Sequence, residues 1–151
     1  YVISALNLFF LSSPSPFDVT FDDGSTVPVY GAVLGNCRLY GGRFSVTPEA
    51  SLDDENLEVT LFLRPGRLPL LRCILNVALG KPLSAPLARR IKVSAMKAEG
   101  DDLHVQIDGD YFGQLPLSFR STFGEILLVI PEERKDLSQE TSTNSLDSPS
   151  L

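Results

Sequence analysis

The chain has 151 residues, 43% of them hydrophobic, and 13 Lys and Arg against 19 Asp and Glu give a formal net charge of −6. That is one domain of ordinary size with enough apolar material to bury a core. The negative charge excludes a protein that binds by neutralising nucleic-acid phosphates, and a single histidine excludes a multi-histidine zinc site.

Tyr1 to Leu11 is apolar on most faces and holds no Gly or Pro, which predicts a buried or docking helix over residues 1–12. The run is too short to span a bilayer and no secretory signal is visible, so the expected location is cytoplasmic. A start at Tyr1 rather than Met is expected of a processed or excised piece of a longer protein. The Ser12-Ser13-Pro14-Ser15-Pro16 stretch ends the helix. From Phe17 the period becomes two, with Phe17, Val19 and Phe21 alternating with Asp18, Thr20 and Asp22 as in a half-buried strand. Asp22-Asp23-Gly24-Ser25-Thr26 supplies a hairpin turn, and Val27 to Leu34 reads as one returning strand.

A later strand sets Leu57, Val59, Leu61 and Leu63 on one face and Glu58, Thr60 and Phe62 on the other. Leu70, Leu71, Ile74, Leu75, Ala78 and Leu79 then recur at helical spacing, with Pro69 suited to the first turn and Gly80 to the end. Alternation resumes at Ile91, Val93 and Ala95, again at Leu103, Val105 and Ile107, and finally over Ile126 to Ile130. Arg89, Arg90 and Lys92 are the densest basic group, and their strand spacing reads as a solvated face. Cys37 and Cys73 lie far apart among apolar neighbours and read as reduced core thiols. His104 falls on the polar side of its strand, which argues against a Ser/His/Asp triad. Residues 132–151 have almost no apolar content and read as a mobile tail behind a domain over residues 13–131. The sum is a mostly β (α+β) chain, an antiparallel β-sandwich with one or two helices.

Two carboxylate motifs stand out. Asp53 and Asp54 precede the Leu57 strand, where they serve either a solvated turn or, with neighbouring carbonyls, a hard cation such as Mg²⁺ or Ca²⁺. Asp108-Gly109-Asp110 sits between two strand-like runs. Asp-Gly alone explains a tight hairpin turn, whereas Asp110 projecting into a cleft could take a proton from a substrate hydroxyl.

The order of motifs carries a resemblance. The stretch from Gly35 to Val59, GNCRLYGGRFSVTPEASLDDENLEV, followed by a leucine-rich helix and then VQIDGDYFGQLPLSF from Val105, resembles the C-terminal domain of the diacylglycerol kinase-like lipid kinases. That family includes bacterial lipid kinases and the sphingosine kinases, and the resemblance runs from about Tyr1 to Pro131. It implies the β-sandwich half of a two-domain kinase whose other half binds ATP through a Gly-Gly-Asp-Gly-Thr loop, a motif this sequence does not contain. It further implies that Asp54 serves the family's metal site, with Ser51 and Asn56 contributing mainly backbone carbonyls, and that Asp110 stands for the family's glutamate base. Asn36, Gly41 and Gly42 would let backbone approach the nucleotide phosphates. The implied cofactor is Mg²⁺ or Ca²⁺ with ATP as co-substrate. The implied partners are a lipid with a free hydroxyl, the membrane surface peripherally and a second copy of the chain, with no nucleic acid. Two positions depart from the family pattern: Glu55 replaces a glycine after the metal aspartate, and Asp110 is one methylene shorter than Glu. The alternative is a non-catalytic lipid-binding sandwich whose carboxylate sites have lapsed.

Overall fold

The structure, a computed structural model, describes residues 15–39 and 44–122. The helix expected over 1–12, the strand Ile126–Ile130 and the tail 132–151 lie outside the described residues.

Alternation and turn chemistry produce the first hairpin. Strands β1 (Phe17–Phe21) and β2 (Thr26–Val29) pair antiparallel, with Val19 opposite Val27. The link between them is closed by Gly24 at φ +80°, where a side chain would be strained, and by the Ser25 N–H donating to Asp23 Oδ1 at 2.8 Å. The chain then bends at Tyr30, whose N–H donates to the Phe62 carbonyl (2.8 Å), and β3 (Gly31–Gly35) enters a different sheet. The single strand expected over Val27–Leu34 is therefore two strands. A second switch occurs at Ser94, between β5 (Ala88–Val93) and β6 (Ala95–Glu99), where one strand was also expected. There the Ser94 hydroxyl donates to Asp22 Oδ2 at 2.6 Å, and the Ser94 carbonyl accepts the Ser121 N–H at 2.8 Å.

The first sheet runs β2-β1-β6-β9, with β9 at Leu117–Arg120, and the second runs β3-β4-β5, with β4 at Leu57–Phe62; neighbouring strands are antiparallel throughout. Strands β7 (His104–Ile107) and β8 (Asp110–Gln114) form a separate two-stranded hairpin. Val19, Val29, Met96 and Ala98 from the first sheet meet Val59, Leu61 and Val93 from the second, filling the sandwich interior. The expected antiparallel β-sandwich is the fold observed, with one helix among the described residues.

That helix, α1 (Arg67–Ala78), covers part of the outer face of the second sheet. Pro69 occupies its first turn, where its missing N–H costs nothing. Gly80, at φ +65°, closes the end: its N–H donates to the Val77 carbonyl and that of Lys81 to the Asn76 carbonyl. The inward stripe centres on Cys73 and Val77, which pack with Leu83, Ala88, Phe62 and Leu87. Leu75 and Leu79, expected on the buried face, are exposed. A helix that is apolar nearly all round does not announce which stripe is covered.

The cysteines part company with expectation as well. Cys73 is buried and burial pushes its thiol pKa up, whereas Cys37 is exposed in the loop after β3, its apolar neighbours notwithstanding. A thiol reagent should therefore label Cys37 rapidly in the native chain and Cys73 only on unfolding, which mass spectrometry before and after urea would show.

Candidate functional site

The turn before β4 gathers three of the residues singled out in the sequence. The Asp54 N–H donates to the Ser51 carbonyl at 3.3 Å, and Asp54 Oδ1 accepts both the Asn56 N–H (3.1 Å) and the Asn56 side-chain amide (3.0 Å). Asp and Asn close turns in this way because a short side chain reaches backbone two residues on. Glu55, in place of the family's glycine, causes no strain: among the described residues only Asp102 and Asp108 take positive φ without being glycine.

Asp54 Oδ2 is held by Lys92 Nζ, 38 residues further on. The Lys92 hydrogen bond, followed by those from Asn56, keeps the Asp54 carboxyl below its ordinary pKa. Asp54 raises the Lys92 ammonium in return, with help from the charges of Glu49 and Glu58. The carboxylate and the carbonyl oxygens of Ser51 and Asn56 are of the kind a hard divalent cation takes. Such an ion would have to displace Lys92 from Asp54, and no group of three acidic, His or Cys side chains is arranged to hold a metal among the described residues.

Beyond the turn, β4 buries polar side chains on its outer face. Thr60 is fully buried and its hydroxyl donates to the Val46 carbonyl at 2.7 Å. Glu58, 2% exposed, accepts the Glu49 N–H on Oε2 at 2.6 Å, while its Oε1 is buried without a partner among the described residues. The alternation in β4 set Glu58, Thr60 and Phe62 on the face opposite Val59 and Leu61. The loop through residues 44–50 covers that face.

Asp110 opens β8 directly after a two-residue turn in which Asp108 (φ 52°) and Gly109 (φ 95°) both adopt positive φ. This is the primed geometry that Asp-Gly favours, so the structural reading of that pair holds. Ile107 lies directly across from Asp110, and Ile107, Tyr111 and Phe112 are all exposed, as is Asp110 itself. The turn thus presents a carboxylate beside apolar surface. His104 faces Tyr111 on the same hairpin, ring centroids 5.7 Å apart.

Asn36 is exposed just past the end of β3, whereas Gly41 and Gly42 lie outside the described residues. Lys92 and Glu58 were missed as site residues; the signal available for both was their alternation on paired strands, with Glu58 opposite Lys92. The depressed Asp54 pKa gives a signed expectation. Its contribution is complete above the unfolded carboxyl value of about 4 and is lost as pH falls through the lower folded value. The stability difference between the wild type and Asp54→Asn should therefore be full at neutral pH and close progressively below about pH 4, measured by urea unfolding across that range.

Comparison with known proteins bears on this arrangement. Residues 1–130 match the family model described as "YegS C-terminal NAD kinase beta sandwich-like domain". Diacylglycerol kinase from two strains of Mycobacterium tuberculosis, CDC 1551 / Oshkosh and ATCC 25618 / H37Rv, is 26% identical over 133 residues, covering 87% of this chain and 43% of the relative. A solved diacylglycerol kinase structure from Bacillus anthracis str. Sterne superposes with a TM-score of 0.54 at 18% identity, over 76% of this chain and 41% of that one. A second solved chain from the same organism gives 0.61 at 14% identity, over 79% and 41%. These superpositions show the shared fold, and the chain spans less than half the length of the relatives it matches. With the family model matched over most of its length, this chain belongs to the YegS C-terminal, NAD kinase β-sandwich-like domains of the diacylglycerol kinase-like lipid kinases.

Proposed function

We propose that this chain supplies the C-terminal half of an ATP-dependent lipid kinase that phosphorylates the hydroxyl of a diacylglycerol-like or sphingoid-like lipid. The observation that carries this reading is the β7–β8 tip, where the exposed Asp110 carboxylate stands beside the exposed Ile107, Tyr111 and Phe112. A lipid hydroxyl sits where polar headgroup meets apolar chain, and a base for it needs both surroundings together. The name diacylglycerol kinase borne by the relatives supports the same reading.

Phosphoryl transfer asks for positioning and charge neutralisation more than for covalent chemistry. Asp110 accepts the hydroxyl proton as the lipid oxygen attacks the γ-phosphorus of ATP, the bond from that phosphorus to the β–γ bridging oxygen breaks, and ADP leaves. The nucleotide is held mainly by the other half of the kinase, with backbone near Asn36, Gly41 and Gly42 approaching its phosphates. A Mg²⁺ or Ca²⁺ ion at the Asp54 carboxylate and the carbonyls of Ser51 and Asn56 would add positive charge at that turn. Lys92 competes for the same carboxylate oxygen. Among the described residues no helix is long and apolar enough to cross a membrane, and the apolar hairpin tip suits docking at a lipid surface.

In the full-length protein, Asp110→Asn should lower kcat by about 10²-fold or more while leaving ATP binding unchanged, since a general base acts only in the transition state. Asp110→Glu should retain most of the rate or raise it, because it restores the family's longer carboxylate. Equal rates of lipid phosphorylation in the Asp, Asn and Glu forms would reduce Asp110 to a turn residue and favour the non-catalytic lipid-binding module.

A further inference from the structure

A cleft of about 380 Å³ opens on the outer face of the second sheet, lined by Glu49, Glu58, Leu83, Ala88, Arg90 and Lys92 among others. It is far larger than one bridging water requires, having room for roughly a dozen at about 30 Å³ each. Within it Glu58 is 2% exposed, and its Oε1 is buried without a hydrogen-bond partner among the described residues. As a carboxylate this oxygen can only accept, and leaving it unmatched is costly. Arg90 lines the same cleft, half-buried, and makes no ion pair among the described residues, whereas Lys92 is committed to Asp54. The register places Thr60 opposite Arg90 and Glu58 opposite Lys92, so Glu58 and Arg90 are diagonal neighbours on one face, about 7–8 Å apart. A buried acceptor without a partner and a guanidinium in no ion pair, both among the described residues, thus line one cavity from neighbouring strands.

The charges select among ligands. A plain anion would meet Arg90 but be repelled by Glu49 and Glu58, and a plain ammonium would satisfy Glu58 and leave Arg90 facing nothing. A metal ion is disfavoured by the two cations in the lining and by the lack of a converging donor set among the described residues. We propose that this cleft binds a small zwitterion carrying a primary ammonium and an oxyanion, the ammonium donating to Glu58 Oε1 and the oxyanion held by the Arg90 guanidinium. Charge-assisted bonds at both ends are the strong kind, and the planar guanidinium fork matches an oxyanion in shape. The same chemistry is offered by a soluble phosphoethanolamine-like molecule and by an ethanolamine phospholipid headgroup.

The test is a ¹H–¹⁵N NMR titration of the 151-residue chain with O-phosphoethanolamine. Saturable shifts confined to Glu49, Ala88, Arg90 and their neighbours are expected. Phosphocholine, whose quaternary nitrogen has no N–H to donate, should bind at least tenfold more weakly, as should ethanolamine or inorganic phosphate alone. Arg90→Met and Glu58→Gln should each weaken phosphoethanolamine at least tenfold, with the remaining spectrum confirming the fold. Sedimentation with phosphatidylethanolamine vesicles separates the sources: co-sedimentation lost in Arg90→Met identifies a headgroup, and binding of the soluble molecule only identifies a free metabolite. The proposal is overturned if no saturable shift develops at tens of millimolar, if phosphocholine binds as tightly, or if Arg90→Met binds like the wild type. The phosphocholine comparison and Arg90→Met decide the matter even if Glu58→Gln does not fold.

Discussion

Strand β4 is buried on both faces, and this governs how the rest of the domain is arranged. Its inner residues Val59 and Leu61 are fully shielded between the two sheets, as a sandwich demands, but Thr60 and Glu58 on the outer face are shielded too. Polar atoms placed there need partners inside the fold. The loop through residues 44–50 supplies them: the Val46 carbonyl accepts from Thr60, and the Glu49 N–H donates to Glu58. Gly35 is fitted under the same cover. A Cβ there would stand 2.3 Å from Thr47 Oγ1, whose hydroxyl is already bonded to the Cys37 carbonyl. A glycine at this strand end is thus explained by close approach.

Much of the sandwich was legible because alternation survives burial on one face. The hairpins were legible because Asp23-Gly24 and Asp108-Gly109 supply positive φ where tight turns require it. What escaped detection was the change of sheet at Tyr30 and at Ser94. A strand that bends from one sheet into the next keeps its period of two, so Val27–Leu34 and Ile91–Ala95 read as continuous although hydrogen-bonding partners change midway. Glu58 escaped for a related reason. Alternation of apolar and polar residues is identical whether the polar side meets water or a covering loop, and only the loop's fold distinguishes them. Cys37 shows the converse, an apolar neighbourhood in sequence that is an exposed loop in space.

The site was legible unevenly. Ser51, Asp54 and Asn56 lie within six residues, and local turn chemistry brings them together. Lys92 reaches Asp54 through the β4–β5 pairing, which sets Leu57 opposite Val93 and Glu58 opposite Lys92. No motif within either segment encodes that contact. Its consequence is electrostatic: one ammonium feels Asp54, Glu49 and Glu58 together, so removing Lys92 would leave several carboxylates facing each other across the mouth of β4. The register of one strand pair therefore decides how much negative charge this turn can offer to a cation.

Asp110 presents the opposite physics. Glu58 is fixed by burial, whereas Asp110 stands exposed on a hairpin that forms a two-stranded sheet of its own, closed at its base by the Leu115 N–H donating to the Leu103 carbonyl at 2.9 Å. A lone pair of strands draws little stability from its own ladder, so this hairpin depends on its base, where Leu115 packs against the sandwich core. The missing methylene of Asp against Glu shortens the carboxylate's reach by about 1.5 Å. In a rigid site a displacement of that order can cost about a hundredfold in rate. Under the proposed function, a small rotation of the hairpin would close the same deficit if the exposed Tyr111 and Phe112 rested against a lipid. With Asp110 as the base of the proposed reaction, the shorter side chain would move the cost from reach to ordering, because docking of the tip would set where the carboxylate stands.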